Sequence, residues 1–240
     1  MLDVIYRFKK LKYIIRIRLQ SLIFTMLPET KAKTIDDFHK LYYDSSVQGG
    51  TWRSNKFLGI STQKCPFDMA VYQEILFDLK PDVIVETGTA YGGGAYYLAS
   101  ICDLINHGEV ITIDIVNVAK SPKHKRITYL YGSSTLDKIA EEVKKRIKDK
   151  KTVLVILDSN HAKTHVLKEL QIYNQFVTKD SYIIVEDTNV NGHPVSPEHG
   201  PGPMEAVMEF LRSNNNFKID KKREKHYITF NPNGYLRRIG

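Results

Sequence analysis

Within thirteen residues, Val83-Ile84-Val85-Glu86-Thr87-Gly88-Thr89-Ala90-Tyr91-Gly92-Gly93-Gly94-Ala95 joins an apolar run, a carboxylate and a cluster of glycines. A short apolar run bounded by glycine reads as a strand buried on both faces. Residues 88–94 read as the turn after it, and 95–101 as the helix that follows. Glycine lets the backbone pass close to a ligand there and presents N–H groups at a helix start. The dinucleotide fingerprint is not met, because Ala90 stands two after Gly88, and no Lys-Ser or Lys-Thr follows to make a phosphate-binding Walker loop.

The rest of the chain repeats this strand–helix unit. Strands are predicted at 83–86, 110–115, 127–131, 153–158 and 182–186, with helices at 95–104, 136–148 and 162–176 between most of them. Earlier helices are predicted at 35–43 and 68–79, a later one at 203–211, and two terminal strands at 217–220 and 227–231. Alternation of this kind predicts an α/β, Rossmann-like doubly wound sheet. We expect it to be mostly parallel, of about seven strands, with helices on both faces. A hydrophobic content of 42% in 240 residues supports one sizeable core. The expected organisation is an N-terminal segment, 1–30, followed by one α/β domain, 31–240.

The net charge of +8 is unevenly placed. Residues 1–27 carry Arg7, Lys9, Lys10, Lys12, Arg16 and Arg18 against Asp3. Residues 217–240 carry seven basic residues against Asp220 and Glu224, and 141–151 is also basic. The remainder, which holds the motifs, is acidic. A nucleic-acid enzyme would concentrate basic charge at its site, so no nucleic-acid partner is expected. Cys65 and Cys102 lie in separate segments and make no metal-type pair, which fits a reduced cytoplasmic setting.

In the first 27 residues, Val4, Ile5, Phe8, Leu11, Ile15, Leu19, Leu22, Ile23 and Met26 recur at helical spacing between basic residues. One use of such a helix is packing on the domain or on a second subunit of a homo-oligomer. The other is peripheral contact with an anionic membrane. Charges interrupt the apolar stretch, so neither a spanning helix nor a cleaved signal peptide is expected. Leu27-Pro28-Glu29-Thr30 reads as a linker.

Open parallel sheets bind ligands beyond the carboxyl ends of their strands, at the point where strand order reverses. Four of the five predicted parallel strands end on an acid: Glu86, Asp114, Asp158 and Glu186-Asp187. The other ends on Gly132-Ser133-Ser134. A single strand-end acid can equally cap the next helix. Together they mark a pocket. Asp114, at the end of the second strand, can accept two ribose hydroxyls.

The glycine turn with its preceding acid resembles the first motif of class I S-adenosylmethionine-dependent methyltransferases. Three longer stretches narrow the resemblance. They are 157–167 (Leu157-Asp158-Ser159-Asn160-His161 onward), Ile183-Ile184-Val185-Glu186-Asp187-Thr188, and Gly200-Pro201-Gly202-Pro203-Met204-Glu205-Ala206-Val207. With Cys65-Pro66, Tyr72-Gln73-Glu74-Ile75 and Asn231-Pro232-Asn233-Gly234-Tyr235-Leu236, they resemble the cephalosporin hydroxylase-like family. That family includes metal-dependent sugar O-methyltransferases. The likeness runs from about residue 51 to the C-terminus and leaves the basic N-terminal helix outside.

The resemblance implies transfer of a methyl group from S-adenosyl-L-methionine to a hydroxyl of a sugar or glycoconjugate, with Mg²⁺ or another divalent cation. It places the donor on Glu86, Gly88, Thr89, Tyr91, Gly92, Asp114 and Ser134. It places the metal on Asp158, Glu186 and Asp187, and makes His161 the general base. Hard cations take oxygen ligands, which suits three carboxylates. Consecutive strand residues point to opposite faces, so Glu186 and Asp187 converge only if the strand breaks between them. Otherwise one of them is a ligand and the other a cap or ion pair. His161 could also be a helix-start residue bonded to backbone, and Ser134 a helix cap. Lys64 is a further candidate contact, and His165 a shield of the site. The long segment 188–203 holds four of the nine prolines and is expected to cover the acceptor, with His193 or His199 in reach. Two rival readings are a non-haem iron hydroxylase using Asp158, His161 and a lid histidine, and a silent module recruited to a membrane by its basic helix.

Overall fold

The structure is a computed structural model that describes residues 2–116 and 121–240. It forms two units, one ending at Leu41 and the other spanning Tyr42–Gly240. The first holds α1 (Leu2–Met26) and most of α2 (Pro28–Asp44). The stretch read as a linker is thus already helical from Pro28. Proline fits a first helical position because its missing N–H has no helical partner there. From Ile5 onward every α1 side chain is exposed except Phe24, which is half-buried.

The second unit begins with a two-stranded hairpin, β1 (Lys56–Phe57) and β2 (Ile60–Ser61), which the sequence reading did not include. It continues with α3 (Pro66–Leu79), β3 (Val83–Thr87), α4 (Gly93–Leu104), β4 (Glu109–Asp114) and β5 (Ile127–Tyr131). Then come α5 (Asp137–Ile147), β6 (Val153–Leu157), α6 (Lys163–Tyr173), β7 (Tyr182–Val185), α7 (Pro203–Ser213), β8 (Phe217–Ile219) and β9 (Tyr235–Arg238). The five expected parallel strands form to within one residue at either end. The strand expected at 227–231 does not. Its backbone is held instead by side chains, with Asp68 accepting from the Phe230 N–H, and the last strand starts only after the turn at Gly234.

The main sheet has seven strands in the order β5-β4-β3-β6-β7-β9-β8. The first five are parallel, and β9 runs antiparallel to both neighbours. Period-two alternation sends Val83, Val85, Val153, Val155 and Leu157 to one face, where they pack with Val143, Val166, Leu170, Val207 and Phe210. Ile84, Leu154 and Ile156 point to the other, against Val71, Ile75, Leu98 and Ala99. Both faces are covered, which explains the near-continuous apolar strands.

The chain runs outward from β3 through β4 to β5, then returns to start again at β6 on the other side of β3. The switch point therefore lies between the carboxyl ends of β3 and β6. The two ends touch: Asp158 donates its N–H to the Thr87 carbonyl at 3.0 Å, and a Cβ on Gly88 would stand 1.8 Å from the Asp158 carbonyl oxygen. Gly88 also has φ +89, a region L side chains rarely adopt. Gly88→Ala is predicted to destabilise the domain by about 2 kcal/mol or more, through clash and backbone strain together. A denaturant midpoint unchanged from wild type would contradict this.

Candidate active site at the switch point

A cavity of about 430 Å³ opens over the ends of β3, β4 and β5. Gly88, Asp114, Ser134 and Asp158 line it, with Ile113, Ile115 and Val116 giving an apolar wall. Asp114 accepts the Ala90 N–H through Oδ2 and the Val116 N–H through Oδ1, both at 2.9 Å. Those bonds fix the carboxylate at the pocket edge and hold the turn after β3. His165 also lines the pocket, its Nε2 3.3 Å from Ser134 Oγ and 3.1 Å from Ser159 Oγ. Thr89 faces inward onto Thr112, with 2.8 Å between hydroxyls. Gly92 caps α4, while Tyr91 is 57% exposed and does not line the cavity.

Glu86 is buried beneath this pocket. Its Oε2 accepts from the Thr112 hydroxyl at 2.7 Å, whereas Oε1 has no hydrogen-bond partner. Burial pushes the carboxyl up to about 7, against the opposing pull of Lys64 and Thr112. Oε1 stands 4.0 Å from the Lys64 ammonium, beyond hydrogen-bond reach, and keeps acceptor capacity for a ligand ammonium such as the amino group of an amino-acid cofactor.

The metal-type residues gather beside it. Asp158, His161 and Asp187 each bring one donor atom within 4.8 Å of the others. His161 Nε2 lies 3.4 Å from Asp158 Oδ1 and 3.3 Å from Asp187 Oδ2, without an aligned hydrogen bond to either. Burial disfavours charge on this ring, but Asp187 and Asp158 outweigh it and raise His161 to about 9. Glu186 is on the other side of Asp158, its Oε1 bonded to Lys64 at 2.6 Å. Lys64 also reaches Asp158 Oδ2 at 2.7 Å.

β7 stops at Val185 and Asp187 adopts φ +53, so the chain kinks between Glu186 and Asp187. The kink puts Asp187 with Asp158 and His161, whereas Glu186 pairs with Lys64 and stands outside that group. Asn231 maintains this kink by accepting the Asp187 N–H, and Asn231 donates in turn to the Tyr72 hydroxyl at 2.8 Å. Asp68 anchors the same segment, accepting from Thr229, Tyr235 and the Phe230 backbone. No sequence signal marked Asn231 or Asp68 for this task. Only their long-range contacts reveal it.

The acids outnumber their cations. Burial drives Glu186 well above the ordinary carboxylate range and raises Asp187, in both cases helped by the charge of Asp158. Asp158 alone is held low, because Lys64 and His161 overcome its burial. Oxygen donors short of positive charge fit a hard divalent cation. The two-histidine set expected of an iron hydroxylase is not assembled among the described residues. His193 is instead bound to Glu205 at 2.8 Å.

The segment after Asp187 is a tied loop. Asn191 and His193 both bond Glu205 Oε1, and Glu205 Oε2 accepts the Gly202 N–H at the start of α7. His199 is near enough to Asp187 to lower its pKa.

A parallel sheet with a pocket at its switch point and acids at the ends of β3 and β4 is the architecture of Rossmann-like methyltransferases. The chain belongs to the family described as Rhamnosyl O-methyltransferase/CmcI, which matches residues 50–239. It is 38% identical over 209 residues to the Rhamnosyl O-methyltransferase of Mycobacterium tuberculosis (strain ATCC 25618 / H37Rv), covering 84% of this chain and 83% of that one. The Mycobacterium leprae (strain TN) protein of the same name is 35% identical, over 84% of this chain and 89% of its own. Among solved structures, cmcI with Mg and SAM superposes with a TM-score of 0.61 at 19% identity, over 78% of each chain. An apo structure of cmcI gives the same TM-score at 20% identity, over 78% of this chain and 77% of that one. At that identity these two structures speak for the fold.

Burial opposes ionisation of Glu205, but His193, the Gly202 N–H and Asn191 hold its carboxyl down at about 2. Its folded pKa thus lies below the ordinary value, so its stabilisation is present above that value and lost as pH falls through about 2. Glu205→Gln is predicted to cost about 1 kcal/mol near neutrality. The difference from wild type should vanish in denaturation series carried down towards pH 2.

Proposed function

We propose that this protein transfers a methyl group from S-adenosylmethionine to a hydroxyl of a sugar or glycoconjugate, with Mg²⁺ or a similar divalent cation. A rhamnosyl group is the acceptor class suggested by the names of its relatives. The observation that carries the reading is the double role of Asp158, which lines the donor-sized cavity and also belongs to the acid cluster. Donor and cation are thereby brought side by side, as alignment of an attacking oxygen with a methyl group requires.

Glu86 would meet the donor's amino group, Gly88 would let the backbone close on its amino-acid end, and Asp114 would take the ribose hydroxyls. Ser134, with Ile113 and Ile115, would border the adenine. Asp158, Glu186 and Asp187 would hold the cation. When bound, the sulfonium supplies an already activated methyl group and the cation a positive charge that lowers the pKa of the acceptor hydroxyl. His161 Nε2 takes the hydroxyl proton. That ring holds its own proton only because Asp158 and Asp187 are anionic beside it. Once their charge is neutralised it is free to act as a base.

Calorimetric titration of S-adenosylmethionine with Mg²⁺ present is expected to show one saturable site, lost in Asp114→Ala. His161→Ala should keep that binding while methyl transfer to a rhamnoside falls about 10²- to 10⁴-fold. No heat from folded wild-type protein would refute the donor assignment.

We further propose that α1 rests on an anionic membrane on the cytoplasmic side. Among the described residues no helix is long and apolar enough to cross a bilayer. Phe8, Leu11, Ile15, Leu19, Leu22 and Met26 recur every three or four residues and are all exposed, with Arg7, Lys9, Arg16 and Arg18 flanking that stripe. A second copy would bring a like basic surface against it, whereas anionic lipid complements it. Flotation with phosphatidylglycerol-containing vesicles should recover the full chain and not a form lacking residues 1–27. Failure of the full chain to float would dismiss the idea.

A further inference from the structure

Lys64 is 4% exposed, and its ammonium stands among three carboxylates: 2.6 Å from Glu186 Oε1, 2.7 Å from Asp158 Oδ2 and 4.0 Å from Glu86 Oε1. An isolated ammonium is expensive to bury, so a lysine at this depth is held by its partners. The space around it is shaped for it. A Cβ on Gly94, in the first turn of α4, would stand 2.7 Å from Lys64 Cε and 2.7 Å from Glu86 Oε1. The second glycine of α4 therefore leaves room for this lysine–glutamate contact, and any larger residue would push the two side chains out of it. The Lys64 carbonyl is itself tied down by the Asn55 side chain at 3.0 Å, just upstream of the β1–β2 hairpin.

The three acids belong to different parts of the site. Glu86 lies near the end of β3, next to the turn that borders the donor pocket, Asp158 belongs to the cluster with His161 and Asp187, and Glu186 precedes Asp187 in the chain. Lys64 touches Asp158 through Oδ2, which leaves Oδ1 turned towards His161 and Asp187. One ammonium thus decides which oxygen of Asp158 faces the outer side of the cluster.

We propose that Lys64 is a positioning residue for methyl transfer, a resident cation that holds Asp158 and Glu186 in place before the divalent ion arrives and couples them to the donor acid Glu86. The inference rests on the reading of the site as a donor and cation centre. It assigns Lys64 no contact with the reacting atoms. Its consequence is that cation and donor occupancy are linked through one side chain, because each of them meets a carboxylate that Lys64 also attracts.

The test uses the full-length protein as wild type, Lys64→Met and Lys64→Arg. Thermal unfolding would be followed with chelator and across a Mg²⁺ titration, and S-adenosylmethionine affinity measured with and without Mg²⁺. Lys64→Met should melt lower than wild type in chelator, yet gain at least about twice the wild-type Mg²⁺-induced rise in Tm, because the metal replaces the missing charge. Lys64→Arg should recover part of the metal-free Tm. In Lys64→Met the ratio of donor affinities with and without Mg²⁺ should differ from that of wild type. A lowered Tm with an unchanged Mg²⁺ response and an unchanged affinity ratio would reduce Lys64 to a packing residue and overturn the proposal. So would a Met variant indistinguishable from wild type.

If Lys64→Met does not fold, the double variant Lys64→Met/Glu186→Gln removes the ammonium together with one buried charge. Recovery of folded, metal-free protein would support the pairing, and no recovery would overturn it. This arm needs neither donor nor metal. Wild-type protein that bound neither one would defeat the methyl-transfer reading by a separate result.

Discussion

The contact between the ends of β3 and β6 organises everything else in this protein. Thr87 accepts the Asp158 N–H, and Gly88 packs so closely on the Asp158 carbonyl that only a residue without a side chain fits. The topology requires that closeness, because the chain leaves β3 for one half of the sheet and begins the other half at β6. A donor pocket built on the β3 turn and an acid cluster built on the β6 end consequently share a wall. Their proximity follows from strand order, before any side chain is chosen.

Charge sets the second constraint. Glu86, Asp158, Glu186 and Asp187 converge in a space only partly open to water, with Lys64 and His161 as the neighbouring positive groups. Burial alone would keep most of these acids protonated, and Glu186 and Glu86 are indeed displaced upwards. Asp158 escapes because it is the one acid touched from both sides, by Lys64 and His161. Its ionisation prepares the oxygen that faces Asp187. The same arithmetic of charge explains why a divalent cation is welcome here and a further anion is not.

Much of this was legible in the residues. Apolar runs gave the five parallel strands, and the acids that end four of them named the ligand end of the sheet. The need for a break between Glu186 and Asp187 followed from the pleat alone. Less visible were features made by contacts distant in the chain. The segment 227–231 has the β-rich composition of a strand, but Asp68 captures its backbone and Asn231 spends its carbonyl on Asp187. Pro28 looked like a linker residue because proline stops helices, although it equally starts them. Lys64 stood out in the sequence only as a candidate contact. It is a lysine before Cys65-Pro66 until folding brings residues 94 and 122 positions away onto its ammonium.

Backbone strain is distributed accordingly. Gly88, Ala90 and Asp187 all have positive φ and all lie just beyond the carboxyl ends of β3 or β7. For Ala90 and Asp187 such conformations cost on the order of 1 kcal/mol or more each, and persist only where surrounding bonds over-determine them. Those bonds are present: the Asp114 carboxylate holds the Ala90 N–H, and the Asn231 side chain holds the Asp187 N–H. Asp114 is part of the donor pocket, and Asn231 is held by buried bonds to Tyr72 and to Tyr235, which in turn donates to Asp68. A reaction whose donor is already activated asks chiefly for alignment. The fold meets that need at Ala90 and Asp187, two of twelve non-glycine residues with positive φ among the described residues, by holding each of these turns with a side-chain acceptor.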